Sequence, residues 1–332
     1  MTDAAPELSI VVPVYNEAAN VDALVARLRP VLDAATASWE MVFIDDGSRD
    51  DTLARIRSLN AADPRLRAVA FSRNFGKEIA IAAGLDHARG QATVIMDADL
   101  QHPPEMIATF VQKWREGYAM VYGQRTDRRA DGPVRRWFTR LFYRLFDAFG
   151  ETPLPEGAGD FRLLDRRAVD ALRQMGERAR FSKGLYAWIG FPSIGVPFEV
   201  AERVHGVSKF NARKLFRFAF DGITSFSTLP LKLWTYVGAC VSAFSLITAI
   251  WILVQTMMSG VDVPGYASLI VSVTFLAGVQ LISLGVIGEY IGRIFAEVKR
   301  RPLYIVGDQV GFEEPQALAT PTRPVGVDRR RA

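Results

Sequence analysis

The sequence contains a single cysteine, Cys240, in 332 residues, so no disulfide framework can staple the chain. Three histidines without paired cysteines leave no donor set for a structural zinc site. Neither a G-x-G-x-x-G following the first apolar run nor a G-x-x-x-x-G-K-S/T occurs. That speaks against a dinucleotide reader and against a phosphate loop. Neither sign of charge dominates: 40 basic and 36 acidic residues give a net charge of +4, too even to point to nucleic acid. Charge is missing altogether from two stretches, Leu233–Val261 and Val263–Gly288.

Those two stretches are long enough to matter, because about 20 apolar residues in a helix cross a bilayer core of roughly 30 Å. Asp262, Pro264 and Gly265 punctuate them, and the pattern reads as a membrane hairpin. Arg213, Lys214, Arg217 and Lys232 precede the first span, and Arg293, Lys299, Arg300 and Arg301 follow the second. Met257–Tyr266 carries neither Lys nor Arg. Positive residues stay inside, so the expectation is a multi-pass protein of the cytoplasmic membrane with both the large N-terminal part and the tail in the cytoplasm. Met1–Ser9 has no basic start and no long apolar run, unlike a signal peptide. The expected division is a cytoplasmic domain over 1–210, an interfacial amphipathic helix over 211–228, spans over 229–258 and 266–292, and a tail over 293–332. The tail is expected to be irregular after Val306, where Pro, Gly, Ala and charge accumulate.

The first 130 residues alternate between short β-branched runs and helical patterns. Strands are expected at Leu8–Val14, Glu40–Ile44, Leu66–Phe71, Ala92–Met96 and Ala119–Tyr122. Helices are expected at Glu17–Ala35, Asp51–Asn60, Lys77–Ala88 and Pro104–Glu116. Such alternation gives an α/β fold, a mostly parallel sheet flanked by helices. Ligands in such sheets sit where strands end, and the polar clusters fall there: Pro13–Glu17, Asp45–Ser48 and Asp97–Gln101. Asp97 and Asp99 leave the end of the buried run Thr93–Met96, and with the amide oxygen of Gln101 they make a hard, oxygen-rich set suited to Mg²⁺ or Mn²⁺. A divalent ion there would stabilise a diphosphate leaving group. Asp99 alone would serve equally well as a cap for the helix that starts near Pro103-Pro104.

Read together, Val12–Glu17, Ile44–Ser48, Arg73–Lys77 and Asp97–Pro103 resemble, in order and spacing, the inverting family 2 glycosyltransferases of GT-A fold. Ala158–Leu164, Arg203–Phe210 and Gly288–Arg293 narrow the resemblance to the polyprenyl-phosphate glycosyltransferases, the group of bactoprenol glucosyltransferases and dolichol-phosphate mannose synthases. The resemblance runs from about Leu8 to Val306. It implies that Pro13, Tyr15, Glu17 and Asp46 hold the base and ribose of a nucleotide sugar, with Lys77 and Arg73 as partners for ribose or phosphate. It places Asp97 beside the sugar nucleotide and Asp99 and Gln101 on the metal. Arg125, Arg203, Ser208 and Lys209 would meet the phosphates of donor and acceptor, and each basic residue could equally belong to a solvated face. Asp160 is the implied base, and it could instead orient a sugar hydroxyl or Arg162. UDP-glucose is the favoured donor, polyprenyl phosphate the acceptor, and a homo-oligomer, a tetramer, the expected assembly.

A lipid monophosphate has a second pKa of roughly 6 and is already a nucleophile near neutrality. Catalysis is therefore expected to rest on positioning and charge neutralisation more than on proton abstraction. Arg136, Arg140 and Arg144 share one face of Pro133–Gly150, opposite Trp137, Phe138, Leu141, Phe142, Leu145, Phe146 and Phe149. Such a basic amphipathic helix lies in a headgroup plane, and Ala212–Phe226 reads the same way; packing into the core is the alternative. A processive polysaccharide synthase of the same broad family would need a Q-x-x-R-W motif and more spans, and neither is present. A non-catalytic membrane scaffold would have no use for the carboxylates.

Overall fold

The computed structural model describes residues 5–125, 158–178, 180–198, scattered helical positions between 236 and 258, and 265–312. Its elements are β1 (Leu8–Val14), α1 (Ala18–Ala35), β2 (Trp39–Asp45), α2 (Thr52–Ala62), β3 (Leu66–Phe71), α3 (Lys77–His87), β4 (Ala92–Ile95), α4 (Met106–Arg115), β5 (Met120–Arg125), β6 (Ala158–Asp165), α5 (Arg166–Gln174), α6 (Ser182–Trp188), β7 (Ser193–Phe198), α7 (Tyr266–Val298) and β8 (Val306–Val310). The strands form one sheet in the order β7-β5-β6-β4-β1-β2-β3-β8. It is parallel through β4-β1-β2-β3 and between β5 and β7.

β1 and β2 are apolar along nearly their whole length because helices cover both faces of the sheet. Ile10, Val12, Met41 and Phe43 face one layer, packed with Leu24, Leu28 and Leu32 of α1 and Phe110 of α4. Val11, Val42 and Val69 face the other, packed with Ile81 and Leu85 of α3, Leu172 of α5 and Leu185 of α6. A parallel sheet sandwiched in this way leaves the strand ends open at one rim, and the site is built there.

The five strands and four helices expected before residue 130 are all present, with ends shifted by a few residues. Two features lie beyond that alternation. β6 inserts antiparallel between β4 and β5, which carries Asp160 to the same rim as Asp97. The tail after Val306 was expected to be irregular, and for Val306–Val310 that is corrected: these residues are β8, antiparallel to β3. An unpaired β3 would leave a row of exposed backbone groups; β8 covers it and buries Val310 in the core.

α7 is 33 residues long, about 50 Å at the helical rise, and outlasts the span expected over 266–292. Among the described residues, its segment Phe275–Val298 is long and apolar enough to cross a membrane. Phe275, Leu281, Ile291 and Phe295 stand exposed on it, a large apolar surface for a protein in water. The helices expected at 133–149 and 211–228, the loop with Arg203, Ser208 and Lys209, and the chain beyond 312 lie outside the described residues.

Candidate functional site

The ends of β1, β2 and β4, with the start of α3, enclose a cleft of about 370 Å³ lined by Pro13, Tyr15, Glu17, Asp46, Lys77, Asp97 and Asp99, with Val14, Asn74, Gly76, Ala80 and Ala98 completing the wall. The seven expected donor-side residues therefore share one cavity. Tyr15 presents its ring to solvent at 43% exposure, as a stacking surface for a planar ligand would.

The loops that form the walls are tied to one another. Asn16, in left-handed backbone, donates its N–H to Ser48 Oγ and accepts the Arg49 N–H on its side-chain oxygen, both at 2.9 Å. Glu17 donates its N–H to Thr52 Oγ1 and accepts from Asn20 Nδ2 at 2.6 Å. Asp46 is buried and accepts the Phe75 N–H at 2.6 Å and the Gly76 N–H at 2.9 Å. Its burial outweighs those hydrogen bonds and holds its carboxyl above the usual range. Gly76, at φ +101°, makes the bend that starts α3. Gln101 turns its backbone N–H onto Asp99 Oδ1 at 3.2 Å, while its side chain is not part of the cleft wall.

Lys77 is the first residue of α3, a position where the helix dipole disfavours a cation. It stays there because it bridges two carboxylates, 2.6 Å from Oδ1 of Asp97 in the loop after β4 and 2.9 Å from Oδ2 of Asp160 on β6. Burial works against its charge, and the two carboxylates more than offset this, holding the ammonium well above the ordinary lysine range. Burial would push Asp160 up; Lys77, Lys183 and Arg162 overcome it and bring the carboxyl down to about 2. Asp160 Oδ1 is buried without a hydrogen-bond partner. Behind it, the buried Arg162 guanidinium lies 3.7 Å over the Tyr186 ring and donates to the Gly159 carbonyl at 2.6 Å. Glu78 accepts from Ser182, and burial raises its carboxyl above the ordinary range.

The structure thus joins Asp97 and Asp160, which with Arg125 were the expected catalytic residues, through one lysine. Nothing in the local sequence pairs residues so far apart; a lysine directly after a helix-initiating glycine was the available signal. Arg162 and Tyr186 were not among the expected site residues, although a charged residue in the buried strand β6 marks the place. Arg125 closes β5, and its side chain lies outside the described positions, as do Arg203, Ser208 and Lys209. Among the described residues no three His, Cys, Asp or Glu side chains converge as a ready metal cage. Asp97 and Asp99 are nonetheless hard oxygen donors on a wall that also carries Glu17 and Asp46, with Lys77 as its cation. A diphosphate would meet net negative charge there, so the donor chemistry fits a divalent cation arriving with it.

Residues 9–173 match the model for glycosyl transferase family 2, and residues 229–294 match the GtrB C-terminal hairpin. An uncharacterized glycosyltransferase of Synechocystis is 50% identical over 92% of this chain and 96% of its own length. The SfII prophage-derived bactoprenol glucosyl transferase of Shigella flexneri is 45% identical over 90% of this chain and 97% of its own. Among solved structures, the mannosyltransferase PcManGT from Pyrobaculum calidifontis, in complex with GDP-Man and Mn²⁺, is 21% identical and covers 85% of this chain and 84% of its own, with a TM-score of 0.46. The mixed sheet flanked by helices is the one expected of a GT-A fold, and the hairpin match together with the apolar segment of α7 indicates membrane association. With a cleft of carboxylates at the strand ends and relatives that align over nine-tenths of its length, the chain belongs to glycosyl transferase family 2 and is a glycosyltransferase.

Proposed function

We propose that this glycosyltransferase moves one sugar, with inversion, from a nucleoside diphosphate sugar to polyprenyl phosphate at the cytoplasmic face of the membrane. UDP-glucose is the proposed donor, and the product is a lipid-phosphate-linked sugar for envelope glycosylation. The observation that carries the reading is the Asp97–Lys77–Asp160 bridge, of which Asp97 and Lys77 line the cleft. A general base works best with a pKa near the operating pH. Asp160, at about 2 and paired with an ammonium, abstracts protons poorly. An acceptor that is already an anion has no need of a strong base, and a lipid phosphate is one. Relatives named bactoprenol glucosyl transferase support the same acceptor and sugar.

In this reading, Pro13, Tyr15, Glu17 and Asp46 hold the nucleoside, and Asp97 and Lys77 lie beside the sugar and diphosphate. Asp160 fixes Lys77 and orients the reacting sugar or acceptor. Asp99, with Asp97 two residues before it, would hold Mg²⁺ or Mn²⁺; Gln101, whose side chain stands off the cleft wall, would complete the set only by turning in. Such an ion, when bound, neutralises the departing diphosphate. Arg125, Arg203, Ser208 and Lys209 take the acceptor phosphate through charge-assisted hydrogen bonds.

Topology supports the location. β8 hydrogen-bonds to β3, so the chain after α7 ends on the same side of the membrane as the sheet. If α7 crosses the bilayer, an even number of crossings between β7 and β8 is required, and the segment 229–258 supplies the second. The positive flanks put that shared side in the cytoplasm. Family resemblance extends the proposal to a homo-oligomer, a tetramer. Purified full-length protein given polyprenyl phosphate and a panel of labelled UDP-glucose, UDP-N-acetylglucosamine and GDP-mannose tests the donor. The expected result is transfer from UDP-glucose above the others; preference for another nucleotide would overturn that choice.

A further inference from the structure

We infer that Tyr304, in the strap between α7 and β8, is a positioning residue for the loop 72–76 that closes the cleft. The inference rests on reading that cleft as the donor site.

The loop is held from two sides. On the inner side Asp46 takes the Phe75 and Gly76 N–H groups. Gly47, at φ +71°, touches the same loop so closely that a Cβ there would stand 2.6 Å from the Arg73 carbonyl carbon. On the outer side stands the strap. Ser72 donates its N–H to the Ile305 carbonyl at 3.0 Å. The Tyr304 ring stacks on Phe71 with centroids 4.9 Å apart and planes at 23°. Phe71 in turn meets Phe75 edge-on at 5.6 Å, and the Arg73 guanidinium caps Phe75 at 4.0 Å. The Tyr304 hydroxyl donates to Asp86 on α3 at 3.0 Å. Tyr304 therefore grips the end of β3 with its ring and the last turn of α3 with its hydroxyl. Along the chain, Lys77 and the two N–H groups bound to Asp46 lie between those two contacts.

β8 by itself needs no such role, since covering the edge of β3 is reason enough for it. Tyr304 precedes the ladder and adds nothing to strand pairing. Its contacts run to Phe71, and through Phe71 to Phe75, the residue whose backbone meets Asp46. Arg178 also donates its N–H to Glu297 on the last turn of α7 at 2.8 Å, and its guanidinium to the Arg301 carbonyl, so the strap leaves a helix end that is itself fastened to the catalytic domain.

The test uses the full-length protein in detergent, with Tyr304→Ala, Tyr304→Phe and Tyr304→Leu. Hydrogen exchange is followed at the Phe75 and Gly76 amides without substrate, and UDP and GDP are then titrated separately. Loss of an aromatic pair is expected to speed exchange at both amides about 3- to 10-fold in Tyr304→Ala. Nucleotide binding should weaken by a similar factor, while Tyr304→Phe, which keeps the stack and loses only the bond to Asp86, should fall between wild type and Tyr304→Ala. Tyr304→Leu, which keeps apolar cover without a stacking face, should behave like Tyr304→Ala and serves if the alanine variant does not fold. If exchange at Phe75 and Gly76 is unchanged in both while thermal stability falls, the strap only covers an edge and the inference is wrong. If exchange rises and neither nucleotide responds, the positioning role stands and the donor reading of the cleft fails.

Discussion

Replacing Lys77 by Met keeps most of the side chain's bulk and removes the charge that joins Asp97 to Asp160. Asp160 sits at about 2 against an ordinary 3.8, with its side chain 19% exposed, so solvent screens it little. At roughly 1.4 kcal/mol per unit, its ionised form gains about 2 kcal/mol from its neighbours, Lys77 foremost. The sign follows from a depressed carboxyl. The stabilisation is complete above 3.8 and is lost as pH falls through about 2, because Asp160 is then protonated in folded and unfolded chains alike. Lys183 and Arg162 share in that shift and the Lys77 side chain is 43% exposed, so Lys77→Met should cost less, about 1 kcal/mol near pH 7, and the deficit should narrow as pH falls from 4 to 2. Denaturant midpoints of the full-length protein in detergent, measured across that range, give the comparison. In an Asp160→Asn background the same substitution should cost less and lose most of its pH dependence. A deficit of equal size at pH 2 and pH 7, or none at pH 7, would refute the claim that Lys77 holds Asp160 ionised.

Three further outcomes are expected. Asp46→Ala removes the acceptor of the Phe75 and Gly76 N–H groups and should weaken UDP binding about 10-fold or more by titration, since unpaired buried donors cost roughly 1–3 kcal/mol; unchanged affinity would mean that the loop does not serve the nucleotide. Asp99→Asn, or chelator added to wild type, should abolish transfer without changing the circular dichroism spectrum, and full activity in excess EDTA would remove the metal from the account. In a Cys240→Ala background, Ser259→Cys should react with an impermeant thiol reagent in intact cells. Ala37→Cys, on an exposed position of the catalytic domain, should not, and the reverse pattern would invert the orientation.

Much of the fold was legible because parallel strands buried on both faces are short apolar runs. Leu8–Val14 and Leu66–Phe71 have the expected ends for that reason. β6 does not read as a strand in the sequence, because Asp160 and Arg162 interrupt its apolar pattern; they are tolerated since each finds a counter-charge or ring from another element. β8 has little apolar character and becomes a strand only where the edge of β3 awaits it. The donor-side residues were legible as a set, since strand ends converge at one rim and each cluster followed a strand. Their couplings were not. Lys77 and Asp160 stand 83 positions apart, and only the antiparallel insertion of β6 brings them within 2.9 Å.

The central claim is that the acceptor brings its own negative charge. Its most direct test gives purified protein labelled UDP-glucose with either polyprenyl phosphate or the corresponding polyprenol. Label should enter the organic phase only with the phosphate, one sugar per lipid, at a rate that rises with the second ionisation of the phosphate near pH 6. Equal transfer to the polyprenol, or label accumulating as a polymer, would contradict the account.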